Sequence, residues 1–384
     1  MAEQLQHDML VRRTADENAR QNFVKSLKIH LATKVSPGTK EVWESRGKEE
    51  FKRRYKRDAK TRHDVRKVMD HDPYYQMWSS LLRTSQELMW DSVGESVERQ
   101  LGDLMEKAKA RGNGKKLGSL TLDPNLKVPA YHTAVDIHCM PGGYHTELTD
   151  DDLYAGALYD RAVYIYAMGR MGDSNQDMGE TVITYIKQHH PDFKPKRILD
   201  LGCSVGHSTL PYVDAFPGAE VHGIEIGAPM LRYAHARAET LGKKVHFSQQ
   251  NAEQTNFEDN SFDLIVSHIL LHETSNKALD NIMKEAHRLL KPGGLMLHAE
   301  VPQYHDMPPY EQFILDWDTR YNNEPFWGTV HDKDIEKVVT KAGFAKSKVI
   351  QHLQPMTSSE TKTNKFEGGD FGGGGAWFIF GGQK

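Results

Sequence analysis

Arg197-Ile198-Leu199-Asp200-Leu201-Gly202-Cys203-Ser204-Val205-Gly206-His207-Ser208-Thr209-Leu210 decides the fold of this chain. Ile198 to Leu201 is a short apolar run that ends in a glycine turn, the pattern of a central parallel strand. Gly202 and Gly206 let the backbone turn sharply and let a ligand approach without a Cβ in its way. A helix follows, and its free N–H groups face that ligand. Asp200 sets a carboxylate at the mouth of the turn. The stretch predicts a cofactor site. Its glycines, four apart, do not match the G-x-G-x-x-G of a dinucleotide fold. His207-Ser208 stands where a phosphate-binding loop needs Lys followed by Ser or Thr.

Downstream, strands and helices alternate. The sequence predicts strands at Ile198 to Leu201, Glu220 to Glu225, Lys244 to Ser248, Phe262 to Ser267, Leu295 to Glu300, Lys346 to Leu353 and Ala376 to Phe380. Helices are expected at Ser208 to Phe216, Ala228 to Leu241, Asn276 to Leu290, Pro309 to Tyr321 and Asp332 to Ala342. Lys291-Pro292-Gly293-Gly294 stops the third of them. This rhythm means an α/β fold, a doubly wound sheet of seven strands. The glycine-rich run Phe366 to Gly375 reads as a linker.

Upstream, residues 1–130 read as a helical extension. Arg46 to Lys67 is dense in Lys and Arg, and Phe51, Tyr55, Ala59, Val65, Val68 and Met69 recur at helical spacing. We read it as a helix with one buried stripe and a solvated basic face. Asp72-Pro73 opens a long helix as N-cap and first-turn proline. Trp78, Leu81, Leu82, Leu88, Met89, Val93, Val97, Leu101, Leu104 and Met105 form its apolar stripe, and Gly112-Asn113-Gly114 ends it. Such a stripe must be covered by the extension, the core or a second copy, which allows a homodimer through this region.

Residues 131–195 have a different texture. Tyr131 to Glu147 carries a Pro141-Gly142 turn signal among His132, His138, Tyr144, His145 and Glu147, the composition of a lid that lines a site. His132, His138, Cys139 and His145 match no zinc spacing, so no metal is expected. A helix follows from Leu153 to about Met168, with Asp150, Asp151 and Asp152 at its positive end. It carries Tyr159-Asp160-Arg161-Ala162 and Tyr166.

Composition bounds the reading. The chain has 384 residues, enough for about two domains. Hydrophobic residues make up 38% and charged ones 27%, as in a soluble globular protein. No run approaches the ~20 apolar residues of a membrane helix. Two cysteines, Cys139 and Cys203, form no disulfide framework, so a reducing cytoplasmic location is expected. A net charge of −4 gives no general pull toward nucleic acid or membrane.

In a doubly wound sheet the ligand lies past the strand ends, where the strand order reverses. Those ends carry Asp200 to Gly206, then Glu225, then Asn251-Ala252-Glu253, then Ser267, His268, Leu271, His272 and Glu273. Taken in order, several segments resemble the class I S-adenosylmethionine (SAM) methyltransferases of the small-molecule group. They are Asp200 to Gly206, Gly223-Ile224-Glu225-Ile226 with Met230-Leu231, Asn251-Ala252-Glu253, Ser261 to Ser267, and Leu289 to Gly294. Ser204 replaces the usual middle glycine of the first motif, and Asn251 stands where an Asp is common. Residues 196–384 then form the SAM-binding core.

The resemblance implies SAM as cofactor and a small molecule as methyl acceptor. The cofactor contacts it implies are Asp200, Gly202, Cys203, Ser204, Gly206, Glu225, Ile226, Met230, Asn251, Ala252, Glu253 and Ser267. Tyr159 and Tyr166 join them, because related enzymes place a Tyr-Asp-x-x-Ala-like helix over the cofactor. His272 is the expected base, with Tyr144 and His145 contacting the acceptor. His298, His305 and Trp317 are weaker pocket candidates. Two other readings stay open: an RNA methyltransferase that holds phosphates on the Arg46–Lys67 helix, and a SAM-binding protein without catalysis.

Overall fold

A computed structural model describes residues 3–113, 116–358 and 375–384. Its centre is one mixed sheet of eight strands among the described residues: β1 (Ser119–Thr121), β2 (Arg197–Leu201), β3 (Glu220–Glu225), β4 (His246–Gln249), β5 (Phe262–His268), β6 (Leu290–Glu300), β7 (Val349–Pro355) and β8 (Ala376–Gln383). The order across the sheet is β1-β4-β3-β2-β5-β6-β8-β7. β1 to β6 run parallel to one another, and β8 is antiparallel to both β6 and β7. The predicted class I methyltransferase architecture holds, α/β with a mainly helical N-terminal region.

β2 is the switch strand. Leu199 sits opposite His222 of β3 on one side and Ile265 of β5 on the other. Chain order reverses there, which opens a crevice at the strand ends. Side chains of β2 alternate between two cores. Ile198 packs with Val182, Ile186, Tyr212 and Leu231 on one face. Leu199 and Leu201 pack with Leu279, Ile282, Met283 and Val339 on the other. A strand buried on both faces needs the unbroken apolar run that the sequence shows.

The N-terminal region is tied into this core. Met9, Val24, Val93, Val97 and Leu158 share one apolar cluster with Val205, Met230, Tyr233 and Ala236 of the core. Each large side chain buried there contributes about 1.5–3 kcal/mol. Asp160, on the helix Tyr154–Tyr166, is the polar counterpart of that cluster. It accepts from Tyr233 (2.7 Å), His207 (2.7 Å), His7 (3.0 Å) and Gln4 (3.2 Å). Burial alone would raise its pKa. Arg237 nearby and the bonds from His207 and His7 outweigh that and hold it well below the usual carboxylate range.

Several expectations need correction. The sheet has an eighth strand, β1, supplied by the extension and paired with β4. Arg46–Lys67 is not one helix. Lys48–Tyr55 ends at Lys56 in the left-handed region (φ +56°), and a second helix starts at Arg62. Much of its positive charge is already engaged: Arg57 pairs with Asp64, Arg62 with Asp316 and Asp332, and Arg66 with Asp316. Tyr55 is exposed rather than part of the buried stripe. The long helix beginning at Pro73 stops at Glu98, and a separate helix runs Leu101–Asn113. Leu81 and Leu88 face outward at 38% exposure each. Pro309–Leu315 and Trp317–Tyr321 are two helices, and Trp327–His331 is a further one. Nearly all of the glycine-rich run from Phe366 lies outside the described residues. No helix among the described residues is long and apolar enough to cross a membrane.

Candidate active site

The turn after β2 takes the backbone that its glycines allow. Gly202 and Gly206 have φ of +68° and +82°, and Ser204 between them has +49°. A Cβ on Gly202 would also come within 2.7 Å of the Leu270 side chain. Asp200 accepts the Thr209 hydroxyl at 2.5 Å, and its other oxygen lies 3.2 Å from His268 Nδ1. These bonds hold Asp200 against the turn.

Glu225 ends β3 beside this turn. Its carboxylate accepts the backbone N–H groups of Ile226 (2.7 Å), Ser204 (3.2 Å) and Gly227 (3.3 Å). Burial nevertheless pushes its pKa up to about 7, against those three amides. Asn251, past β4, accepts from Glu253 N at 2.9 Å.

A cavity opens over these strand ends. Asp200, Gly202, Cys203, Ser204, Glu225, Ile226, Asn251, Ala252, Leu270 and Ile282 line its sheet side. Gln86, Trp90, Tyr131, His132, His138, Tyr144, Tyr159, Val163, Tyr166, Met171 and Met178 line the opposite side, and Glu273 borders both. Of the expected cofactor residues, Tyr159 and Tyr166 thus meet the turn across one space. Gly206, Met230, Glu253 and Ser267 lie outside its wall. Met230 is packed in the apolar cluster. Glu253 bonds Tyr131 and Asn281. Ser267 lies behind the wall with its hydroxyl 2.6 Å from His298.

The upper wall is built by long-range contacts. Met140-Pro141-Gly142-Gly143 forms the expected turn, with Gly143 N donating to Met140 O at 2.8 Å and Gly142 at φ +75°. It brings the Tyr144 carbonyl so close to Gly227 that a Cβ there would sit 2.3 Å away. Tyr144 then donates its hydroxyl to Glu273 at 3.1 Å, and His138 Nε2 reaches the same oxygen at 3.0 Å. Tyr144 meets Tyr159 edge-on with centroids 5.6 Å apart, and Tyr159 stacks on His207 at 5.9 Å. Burial holds the Tyr144 phenol well above its ordinary pKa. Burial would raise Glu273 too, but the hydrogen bond and charge of His138 bring it below its ordinary value.

Two expected catalytic residues are not on the cavity. His272 is fully buried behind it, with Nδ1 2.7 Å from Glu300 and its ring against Trp327 at 4.6 Å. The strand-end position is as predicted. A short 3-10 turn, Leu271–Glu273, rotates His272 inward and Glu273 toward the cavity. His145 is partly exposed and lies 5.9 Å from the His132 ring. His298 is buried, His305 is exposed, and Trp317 packs in the cluster of the extension. Gln86, Trp90, Met171 and Met178 were not legible as site residues, because each sits in an ordinary helical or loop context far from the motifs.

Residues 198–294 match the family profile described as "Methyltransferase domain". The chain is 35% identical over 121 residues to a demethylmenaquinone methyltransferase of Thermus thermophilus, covering 32% of this chain and 52% of that protein. It is 34% identical over 122 residues to a malonyl-[acyl-carrier protein] O-methyltransferase of Methylococcus capsulatus, covering 31% and 42%. It is 28% identical over 117 residues to the tRNA N(3)-methylcytidine methyltransferase Mettl2 of Drosophila melanogaster, covering 29% and 36%. The matched stretch spans about half of the first of these relatives, and less of the others. Residues 198–294 are a class I SAM-dependent methyltransferase domain, whose cofactor is SAM.

Proposed function

We propose that the whole chain transfers the methyl group of SAM to a small-molecule acceptor held between the strand ends and the segment 131–178. One observation carries this reading. The cofactor turn and the aromatic groups of the upper wall line a single cavity. The residues fit the cofactor by their chemistry. Glu225 is a carboxylate suited to a ribose diol. Ile226, Ala252 and Ile282 offer apolar faces to a flat base, and Asn251 an amide to its edge.

Bound SAM supplies a methyl already activated by its sulfonium. The chain's own task is to fix the acceptor in line and keep water out. Tyr144, Tyr159 and Tyr166 supply the apolar bodies of that wall. Glu273 is the anionic group facing the acceptor, steadied by Tyr144 and His138. It takes the role first expected of His272, which stands behind it. A hydroxyl or ammonium acceptor must lose a proton, and the Glu273 carboxylate is the group placed to take it as general base. The different acceptors named for the three relatives are consistent with specificity that resides outside the shared domain, in residues 1–195.

The test is calorimetry with SAM and S-adenosylhomocysteine, followed by labelled-methyl transfer to fractionated metabolite extracts. Binding of both, with label in a small product, is expected. Absence of binding ends the reading. Label that enters only RNA ends the small-molecule part of it.

A further inference from the structure

At the cavity wall and behind it lies a cluster of which the methyl-transfer reading uses only Glu273 and His138. His138, His272, Glu273, Glu300 and Glu324 come together from four separate parts of the chain. His138 Nε2 lies 3.0 Å from Glu273, and its Nδ1 lies 3.0 Å from Glu324. His272 Nδ1 lies 2.7 Å from Glu300. One ligand-type atom from each of His138, His272 and Glu273 falls within 4.8 Å of the others.

We propose that His138, His272 and Glu273 hold a divalent first-row transition-metal ion at the cavity wall, with a carboxylate oxygen of Glu324 beside it as a fourth donor. Four observations carry this. Two imidazoles and a carboxylate are the donor set such ions take. Metal bonds of about 2.0–2.2 Å put neighbouring ligand atoms roughly 3–3.5 Å apart, and His138 Nε2 and Glu273 Oε1 lie 3.0 Å apart. Glu300 takes the proton side of His272, which turns the other nitrogen inward, the outer-shell arrangement of metal-bound histidine. That nitrogen, Nε2, and Glu324 Oε2 are both buried, have no hydrogen-bond partner among the described residues, and face each other at 3.5 Å. A cation between them would satisfy both.

The backbone at His138 adds support. It sits at φ +54°, a strained position for a side-chain-bearing residue. Its carbonyl is pinned by two buried donors, Trp90 Nε1 at 2.8 Å and Gln86 Nε2 at 3.1 Å. The strain is therefore held by its surroundings and aims the imidazole at Glu273 and Glu324. Glu273 lines the cavity, so the ion would keep one side open to an oxygen or nitrogen of the cavity's ligand, as catalytic sites do. Of His132, His138, Cys139 and His145, whose spacing matches no zinc pattern, only His138 belongs to this cluster.

The test uses the full chain, stripped with a chelator and titrated with Co2+ under visible absorption. Saturation at about one ion per chain is expected, with d–d bands of nitrogen and oxygen ligation and displacement by Zn2+. Glu300→Gln should weaken binding about 10–100-fold. His138→Ala and Glu273→Gln should weaken it more, and His331→Gln should leave it unchanged. SAM calorimetry on each metal-free protein serves as the folding check and keeps the methyl-transfer reading separate. No saturable Co2+ binding by the unaltered chain overturns the proposal. So does binding indifferent to His138→Ala and Glu273→Gln. Loss with His331→Gln but not with Glu273→Gln also overturns it, because the ion would then sit on His272, Glu300 and His331.

Discussion

The two walls of the cavity are made differently. The lower wall is backbone geometry: positive-φ glycines after β2, and a carboxylate capped by amides one and two residues on and by one from the turn itself, 21 positions earlier. The upper wall is side chains brought from afar. Tyr144 meets Glu273 129 positions on, and behind that wall Gln4 reaches Asp160 across 156 positions. One wall is written locally and would survive in many proteins with the same turn. The other exists only when this whole chain is folded. Cofactor binding and acceptor binding should therefore fail separately, and four changes probe that.

Asp160→Ala should have the largest effect. It removes a buried anion held by His7, His207, Tyr233 and Gln4 and leaves their polar groups unpaired. Breaking such a network costs about 3–5 kcal/mol. A large drop in the thermal midpoint is expected, together with early proteolysis before residue 15. Unchanged melting would show that the N-terminal segment contributes little to holding the helix Tyr154–Tyr166.

Glu225→Ala comes next and acts on the lower wall. A hydrogen bond to a charged group is worth about 1.5–3 kcal/mol, so SAM affinity should fall roughly tenfold to a hundredfold for each bond lost. Glu225 also predicts a pH dependence. Unfolded, it titrates near 4.5; folded, near 7. Between those values the folded cofactor-free chain keeps a proton that the unfolded chain has released. Stability should thus fall as pH rises from about 4.5 to 7, by on the order of 3 kcal/mol. Denaturant melts across that range, with Glu225→Gln as control, measure it; an identical slope in the control would break the assignment.

Tyr144→Phe removes one donor to Glu273 while His138 remains. Turnover or acceptor KM should worsen about tenfold, near the low end for a hydrogen bond to a charged group, with SAM affinity unchanged. Weaker SAM binding would mean that the walls are not separable.

Gly118→Ala should matter least. The added Cβ would lie 1.9 Å from the Val245 carbonyl oxygen, so β1 could no longer approach β4. About 1 kcal/mol per lost hydrogen bond is expected. Faster hydrogen exchange at residues 119–121 and normal SAM binding would show it. Loss of SAM binding would make β1 part of the lower wall.

The same contrast explains what was legible beforehand. Asp200, Gly202, Ser204, Glu225, Asn251 and Ala252 announce themselves because the turn and the strand ends demand particular residue types at fixed spacing. β1 did not. Three residues, Ser119-Leu120-Thr121, hold no periodicity, and only β4 makes them a strand. Lys56 ends a helix without the glycine that usually marks such a stop. His272 and Glu273 are adjacent at the predicted strand end. Which of them faces the cavity depends on a single 3-10 turn packed by Trp327, and no spacing rule reports that. Glu324 was invisible for a similar reason: it pairs with His138, 186 positions earlier, across the whole core.

The eighth strand and the Asp160 network carry a consequence for how the molecule is made. A ribosome delivers the chain from its amino end at about 5–20 residues per second. Gln4 and His7 leave well before Asp160, His207 and Tyr233, and β1 waits for His246. From the emergence of Met9 to that of β4 the nascent chain spends roughly ten to fifty seconds with Val24, Val93 and Val97 lacking their partners from the core. Its amino-terminal half thus leaves apolar surface uncovered during synthesis, and it closes only when the last parallel strands arrive.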